Sequence, residues 1–475
     1  MKYDYDCIVI GSGAAGLVAS KTISGFGKKT ALVEKDKLGG SCTYTGCVPS
    51  KALIKAAKVV YTLARQKDFG LDFGNAVFNK DRVMDSVRQV LDKISASYTP
   101  AYFNKLGIGI LTGEAKFIDN HEIEISGRRV SSAKFIIATG SSPAIPLIPG
   151  IKETPYLTSE NLFNLKKIPG SLAVLGGGPI GIEMAQAFRR LGAEVTVLEM
   201  EPRILIREDT EIAQALTGFL KSEGVEILTG ARVIRMSQVN GKVFLSIVSE
   251  NKERKLPSFD YVLISSGRQP NTALNLDKAG VKFNIKGITV NNNLKTSADN
   301  IFACGDVVGP FLFSHMAEYQ AVIASVNASL PLKRKANYDN VIWTTFCDPE
   351  LARMGLTEEE ARIKYKNKIK VYRTYYNSLD SALTDREEKG MAKFILSQNY
   401  KLLGCHILGH NAGEAIIQPQ LSKTFRIPFT KLQSAIYPYP AYSEIIRTAS
   451  KKAYIDKLQG HFIVRFLRCF FSKSS

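Results

Sequence analysis

The chain is poor in cysteine: seven in 475 residues are too few for a secreted scaffold held by disulfides. Five of them, Cys7, Cys304, Cys347, Cys405 and Cys469, stand alone and read as structural or incidental. Long hydrophobic runs are also lacking, and nothing approaches the roughly 18 apolar residues that a membrane span needs. The apolar stretch near the N-terminus does not read as a secretory signal, because Asp4 and Asp6 stand where such a peptide needs positive charge. Acidic residues are outnumbered, 44 against 63 Lys and Arg, which gives a formal charge of +19 and favours anionic partners. The basic residues are spread along the chain, however, with no block that reads as a nucleic-acid arm. These absences exclude a spanning protein, argue against nucleic-acid binding and leave the cytoplasm as the default location.

What is present is a repeat. The length favours about three domains, and two of them share a strand–turn–helix plan. Cys7-Ile8-Val9-Ile10 reads as a buried strand that runs through Gly11, Ser12, Gly13, Ala14, Ala15 and Gly16 into a helix. Leu172-Ala173-Val174-Leu175 does the same through Gly176, Gly177, Gly178, Pro179, Ile180 and Gly181. Each copy has an acid at the end of the next strand, Glu34 and Glu199, and the spacing from first glycine to acid is 23 residues in both. The first glycine makes a tight turn, the second lets backbone approach a pyrophosphate, and the third packs helix on strand. The helix N-terminus stabilises the phosphates, and the acid bonds the ribose hydroxyls. One such fingerprint is weak evidence; two in register point to two dinucleotides, a flavin and a nicotinamide. Strands ending at Thr139-Gly140 and at Gly267, together with Ala115, suit backbone lying against a cofactor. Asp306 ends a further strand, where a carboxylate can hold a polyol hydroxyl.

The only close cysteine pair is Cys42 and Cys47, in Gly39-Gly40-Ser41-Cys42-Thr43-Tyr44-Thr45-Gly46-Cys47-Val48-Pro49-Ser50-Lys51. Apolar periodicity from Ala52 to Leu63 reads as a helix, with Pro49 suited to its first turn. A bridge needs Cα atoms within about 4.4–6.8 Å, which residues five apart on a regular helix do not meet. Residues 42–47 are therefore expected as a distorted turn, with Gly46 permitting it. A thiolate at a helix N-terminus is acidic and reactive. Neither cysteine has a histidine or a second pair at metal-ligand spacing, so redox chemistry is favoured over a resident metal.

This run resembles the active-site segment of the flavoprotein disulfide reductases, the family of dihydrolipoamide dehydrogenase, glutathione reductase and mercuric reductase. The resemblance implies an α/β fold with two Rossmann-type dinucleotide-binding domains and a C-terminal α+β dimerisation domain. The expected boundaries are 1–147 for the first part of an FAD domain and 148–268 for an NAD(P) domain. A central FAD-linked segment follows at 269–335, a dimerisation domain at 336–450 and a basic tail at 451–475. The resemblance also implies a homodimer that shares its active sites. Its cofactor contacts include Gly40, Ser41, Cys42 and Lys51, Asp306 on the ribityl chain and Ser314 near the flavin. Lys51 pairs with Glu183, Cys47 exchanges electrons with FAD, and Cys42 is the interchange thiol that meets the acceptor.

One position departs from the disulfide-exchanging members. They carry a His-Pro dipeptide followed by a Glu, and here that stretch is Tyr437-Pro438-Tyr439-Pro440-Ala441-Tyr442-Ser443-Glu444. Glu444 is kept, but Tyr439 takes the histidine position. A phenol with pKa near 10 is a poor base where an imidazole near 6.5 is well matched. Tyr at this position, Gly178-Pro179-Ile180-Gly181 with Ala185-Gln186-Ala187-Phe188, and His315 with Tyr319-Gln320 are similar to the mercuric-reductase branch. An N-terminal metal-binding domain and a C-terminal vicinal cysteine pair, both features of that branch, are not found. The expected enzyme passes electrons from NAD(P)H to a metal ion or a small disulfide, with dihydrolipoamide dehydrogenase as the alternative. A non-catalytic redox sensor is the rival of another class; a lost cysteine or fingerprint glycine would mark it, and none is lost. Glu199 argues for NADH by repelling a 2′-phosphate, while Arg203 and Arg207 offer a partial counter-charge for NADPH. The tail, with Arg465 and Arg468 among apolar residues from His461 to Phe471, reads either as an interfacial membrane segment or as a helix packed on the body.

Overall fold

The computed structural model describes residues 3–74 and 78–460. The strand Tyr5–Ile10 pairs in parallel with Thr30–Glu34 on one side and Arg128–Ile137 on the other. Ile108–Thr112 and Ile301–Ala303 extend this parallel core, and the strands Glu122–Ile125 and Ala115–Phe117 continue the sheet antiparallel. Residues 301–303 thus return to complete a sheet begun at the N-terminus, so the first domain is closed by chain from the central segment. Apolar runs such as Ile8, Val9 and Ile10 are wholly or nearly buried, as a parallel sheet covered on both faces requires.

The second dinucleotide fold is a four-stranded parallel sheet in the order Glu226–Leu228, Glu194–Leu198, Ser171–Leu175, Tyr261–Ile264. The expected third-glycine packing is found in both copies. A Cβ at Gly16 would stand 1.7 Å from the Gly11 carbonyl oxygen, and one at Gly181 would stand 2.1 Å from that of Gly176. The third domain is a five-stranded antiparallel sheet in the order Ile342–Thr345, Glu350–Gly355, Leu402–Gly409, Met391–Ser397, Ile369–Tyr375.

The expected break at residue 450 does not coincide with an end of structure. The helix Glu444–Gln459 runs across it, with Ile445, Ile446, Ala449 and Ala453 buried against the antiparallel sheet. Asp456, on the same helix, accepts from Tyr372 at 2.6 Å and Lys370 at 2.8 Å. The start of the tail is therefore a helix packed on the body; His461 to Phe471 lie outside the described residues. Among those described, no helix is long and apolar enough to cross a membrane.

Candidate active site

The two expected fingerprints have matching atomic detail. Glu34 Oε2 accepts from Ser12 N at 3.0 Å and its Oε1 from Asp36 N at 2.9 Å. Glu199 repeats this, with Oε2 accepting from Gly177 N at 2.6 Å and Oε1 from Glu201 N at 2.9 Å. The helices Ala14–Gly25 and Pro179–Arg190 begin after Gly13 and Gly178 and carry no capping side chain. Their first amides are left for an anion, which is what a dinucleotide diphosphate supplies.

One cavity of about 2620 Å³ runs past both helix starts. Gly11, Ser12, Gly13, Ala14, Ala15, Glu34, Gly40, Ser41, Ala115, Thr139, Gly140, Asp306 and Ser314 line its first lobe. Gly176, Gly178, Pro179, Ile180, Glu199 and Gly267 line its second, and Cys42, Cys47, Lys51 and Glu183 stand on the same wall system. Gly16 and Gly181 do not line it; their part is the helix–strand packing behind. Asp306 Oδ2 accepts from Ser141 Oγ at 2.6 Å, and Arg268 Nε donates to that same hydroxyl at 2.7 Å. The two open helix starts on one large cavity, each with its acid, fit a flavin dinucleotide at the first and a nicotinamide dinucleotide at the second.

The thiol pair is built by a break between two helices. Gly40–Tyr44 is one short helix, and the next, Cys47–Ala64, begins at Cys47 itself, with Pro49 in its first turn as expected. Gly46 joins them: a Cβ there would meet the Ser41 carbonyl oxygen at 2.9 Å and Cys42 Cα at 3.3 Å. Both cysteines are free thiols in this structure, and Ser314 Oγ lies 3.2 Å from Cys42 Sγ and 3.4 Å from Cys47 Sγ. Hydrogen bonding from Cys42, with Ser314 and Lys51 adding to it, depresses the Cys47 thiol to about 6. The same contact with Cys47, and burial, push Cys42 upward. Cys47 is thus the thiolate at neutral pH and Cys42 the thiol. Cys7, Cys304, Cys347 and Cys405 are buried, with their thiols pushed up by burial, and are inert by comparison; Cys469 lies outside the described residues.

The expected Lys51–Glu183 pair forms, with Nζ 2.8 Å from Oε2. Glu183 Oε1 accepts from Phe346 N at 2.8 Å, and the Lys51 ammonium lies 4.5 Å from the centre of the Phe346 ring. The Arg203 guanidinium donates to the carbonyls of Leu205, Ile206 and Glu208, and Arg203 and Arg207 both line the cavity. Glu444 pairs with Arg447 at 3.5 Å, and the Tyr439 hydroxyl donates to Asp380. That bond raises the phenol's pKa further. Tyr439 is 72% exposed and, like Glu444, does not line the cavity of its own chain. Asp380, Ser314's double contact and Arg268 were missed from sequence, because each partner lies at least 59 residues away and carries no motif.

Residues 5–329 match the pyridine nucleotide-disulphide oxidoreductase family, and residues 341–450 match its dimerisation domain. The chain belongs to this family of FAD-dependent, pyridine-nucleotide-using oxidoreductases and carries the domain through which its members dimerise. It is 36% identical to a mercuric reductase of Staphylococcus aureus, over 94% of this chain and 82% of that one. A dihydrolipoyl dehydrogenase of Chlamydia trachomatis serovar D is 33% identical over 94% and 96%. Among solved structures, the Cu(II) complex of the HOCl-induced flavoprotein disulfide reductase RclA from Escherichia coli superposes with a TM-score of 0.85. Identity there is 30%, covering 95% of this chain and 100% of that one.

Proposed function

We propose that the enzyme passes electrons from NADH, through FAD, to the Cys42–Cys47 pair and from there to a soft metal ion. A bound flavin supplies the two-electron exchange between a hydride donor and a dithiol. The chain's own residues divide the remaining work. Lys51, held by Glu183, places a positive charge that stabilises the Cys47 thiolate, and Cys42 at the start of the pair meets the acceptor. Tyr439 reaches the thiol pair of a second copy of the chain. The observation that carries the metal reading is the state of Tyr439, a phenol locked as a donor to Asp380. Drawing a proton from a dithiol substrate needs a base, and no such base is offered here. A metal ion closing on the pair displaces the Cys42 proton to solvent and brings no substrate proton to be removed. The similarity to mercuric reductases and to a reductase solved with Cu(II) supports the same choice.

The test compares dihydrolipoamide oxidation in the wild type and in Tyr439→His, which restores a base of matched pKa beside Asp380. Positioned general bases contribute about 10²–10⁴-fold, so a gain of at least about tenfold is expected. Fast wild-type turnover that Tyr439→Phe leaves unchanged would instead favour a dihydrolipoamide dehydrogenase.

A further inference from the structure

Two long helices start at the thiol pair. Cys47 is the first residue of Cys47–Ala64, and Ser314 is the first residue of Ser314–Ser329. Their N-terminal ends bring positive potential to the sulfurs from two directions. The Ser314 hydroxyl stands between the sulfurs, 3.2 Å from Cys42 Sγ and 3.4 Å from Cys47 Sγ. Its backbone is held from both sides. Phe313 stacks on Trp343 at 5.7 Å between ring centres, 14° from parallel, and His315 Nε2 is 2.7 Å from the Ile342 carbonyl oxygen. The hydroxyl is therefore delivered by fixed chain, and nothing else among the described residues hydrogen-bonds to both sulfurs.

From this geometry we infer that Ser314 is a positioning residue that stabilises the dithiol state of Cys42 and Cys47 over their disulfide, and so sets the reduction potential of the pair. The Ser314 hydroxyl donates to Cys42 Sγ and also lies within reach of Cys47 Sγ, and a thiolate accepts such a bond well. A disulfide sulfur has no proton to give and is only a weak acceptor. Oxidation from the state with Cys47 a thiolate and Cys42 a thiol joins Sγ to Sγ, releases two electrons and the one Cys42 proton, and loses both contacts to Ser314. Reduction regains them. The hydroxyl thus makes the dithiol hand its electrons onward less eagerly, and tempers the reducing power of the pair. The inference rests on the reading of Cys42 and Cys47 as a redox pair, but on no particular acceptor.

The test equilibrates the FAD-loaded protein with reduced and oxidised dithiothreitol at one fixed pH, where oxidised dithiothreitol accepts the two electrons, the Cys42 proton and a second proton from the buffer. Acid quenching, alkylation and mass spectrometry then give the fraction of the Cys42–Cys47 peptide in dithiol form. Ser314→Ala is expected to lower the dithiol/disulfide ratio about tenfold, equivalent to about 30 mV for a two-electron couple. Ser314→Thr, which keeps the hydroxyl, should restore the wild-type ratio, and Ser314→Val, its equal in bulk, should behave as Ala. This Thr/Val comparison separates the hydrogen bond from any loss of packing. Ratios in Ala and Val equal to the wild type, or a Thr variant shifted as far as Val, would overturn the inference. A wild type that forms no Cys42–Cys47 disulfide at any buffer ratio would remove the redox-pair reading and the inference together, a result distinct from a normal titration insensitive to Ser314.

Discussion

At the scale of single residues, the chemistry rests on an asymmetry between two thiols five positions apart. Cys47 is held near 6 mainly by hydrogen bonding from Cys42, with Ser314 and Lys51 behind it. The depressed value means that Cys47 carries its charge above about pH 6 and loses it as pH falls below. In the reduced protein, thiolate absorbance near 240 nm is expected to titrate with that midpoint. Cys42→Ala removes the leading cause, so the midpoint should move up by at least about one pH unit, a tenfold change in thiolate fraction below the new midpoint. A midpoint unmoved in Cys42→Ala would show that the second thiol does not set the charge of the first.

At the scale of elements, the dimerisation sheet is tied to the start of the helix Thr210–Ser222 by one buried cation. Lys393, with a side chain only 3% exposed, lies 2.8 Å from Asp209, 2.9 Å from Glu211 and 2.7 Å from Glu358. All three carboxyls are held below their usual values: Glu211 first by Arg373 and then by Lys393, and Asp209 and Glu358, against the opposing effect of burial, chiefly by Lys393. Groups so shifted add stability above their unfolded pKa values, and that stability is lost as pH falls through the lower folded values. Lys393→Met leaves the acids facing one another, with Arg373 on Glu211 and Glu358 and Arg362 on Glu358 as remaining cations, and removal of one partner from a buried pair costs about 3–5 kcal/mol. Thermal unfolding at pH 7 should show a drop of that size, shrinking as pH is lowered toward 4; a variant as stable as the wild type would mean that the sheet is held by packing alone. None of this was legible in the sequence, where Lys393 is an ordinary lysine within an apolar run. The fingerprints were legible because their residues are contiguous and each glycine answers a local steric demand. The break before Cys47 was legible through Gly46, and the helix entry through Pro49, although its apolar period begins only at Ala52 because Val48-Pro49-Ser50-Lys51 has none. Asp380 and Ser314 act through contacts between distant segments, which no local pattern announces.

At the scale of the whole molecule, two dinucleotide lobes and a thiol pair share one cavity, so the chain is organised as a line from hydride donor to acceptor. Its donor end is set by Glu199, whose carboxylate already accepts two backbone amides and would repel a 2′-phosphate, with Arg203 turned to its own loop. NADH should therefore give the higher kcat/KM, and Glu199→Ala should narrow the gap; a wild-type preference for NADPH above about tenfold, or 1.4 kcal/mol, would contradict this assignment. Its acceptor end is set by Cys42. The most direct measurement is the anaerobic initial rate of NADH oxidation with Hg(II), supplied as its thiol complex, in the wild type and in Cys42→Ser. The account predicts sustained turnover in the wild type and a loss of at least about a hundredfold in the variant, with NADH still able to bleach the flavin in both. Equal Hg(II)-dependent turnover in the two proteins would contradict it, because electrons would then be leaving without passing through the thiol pair.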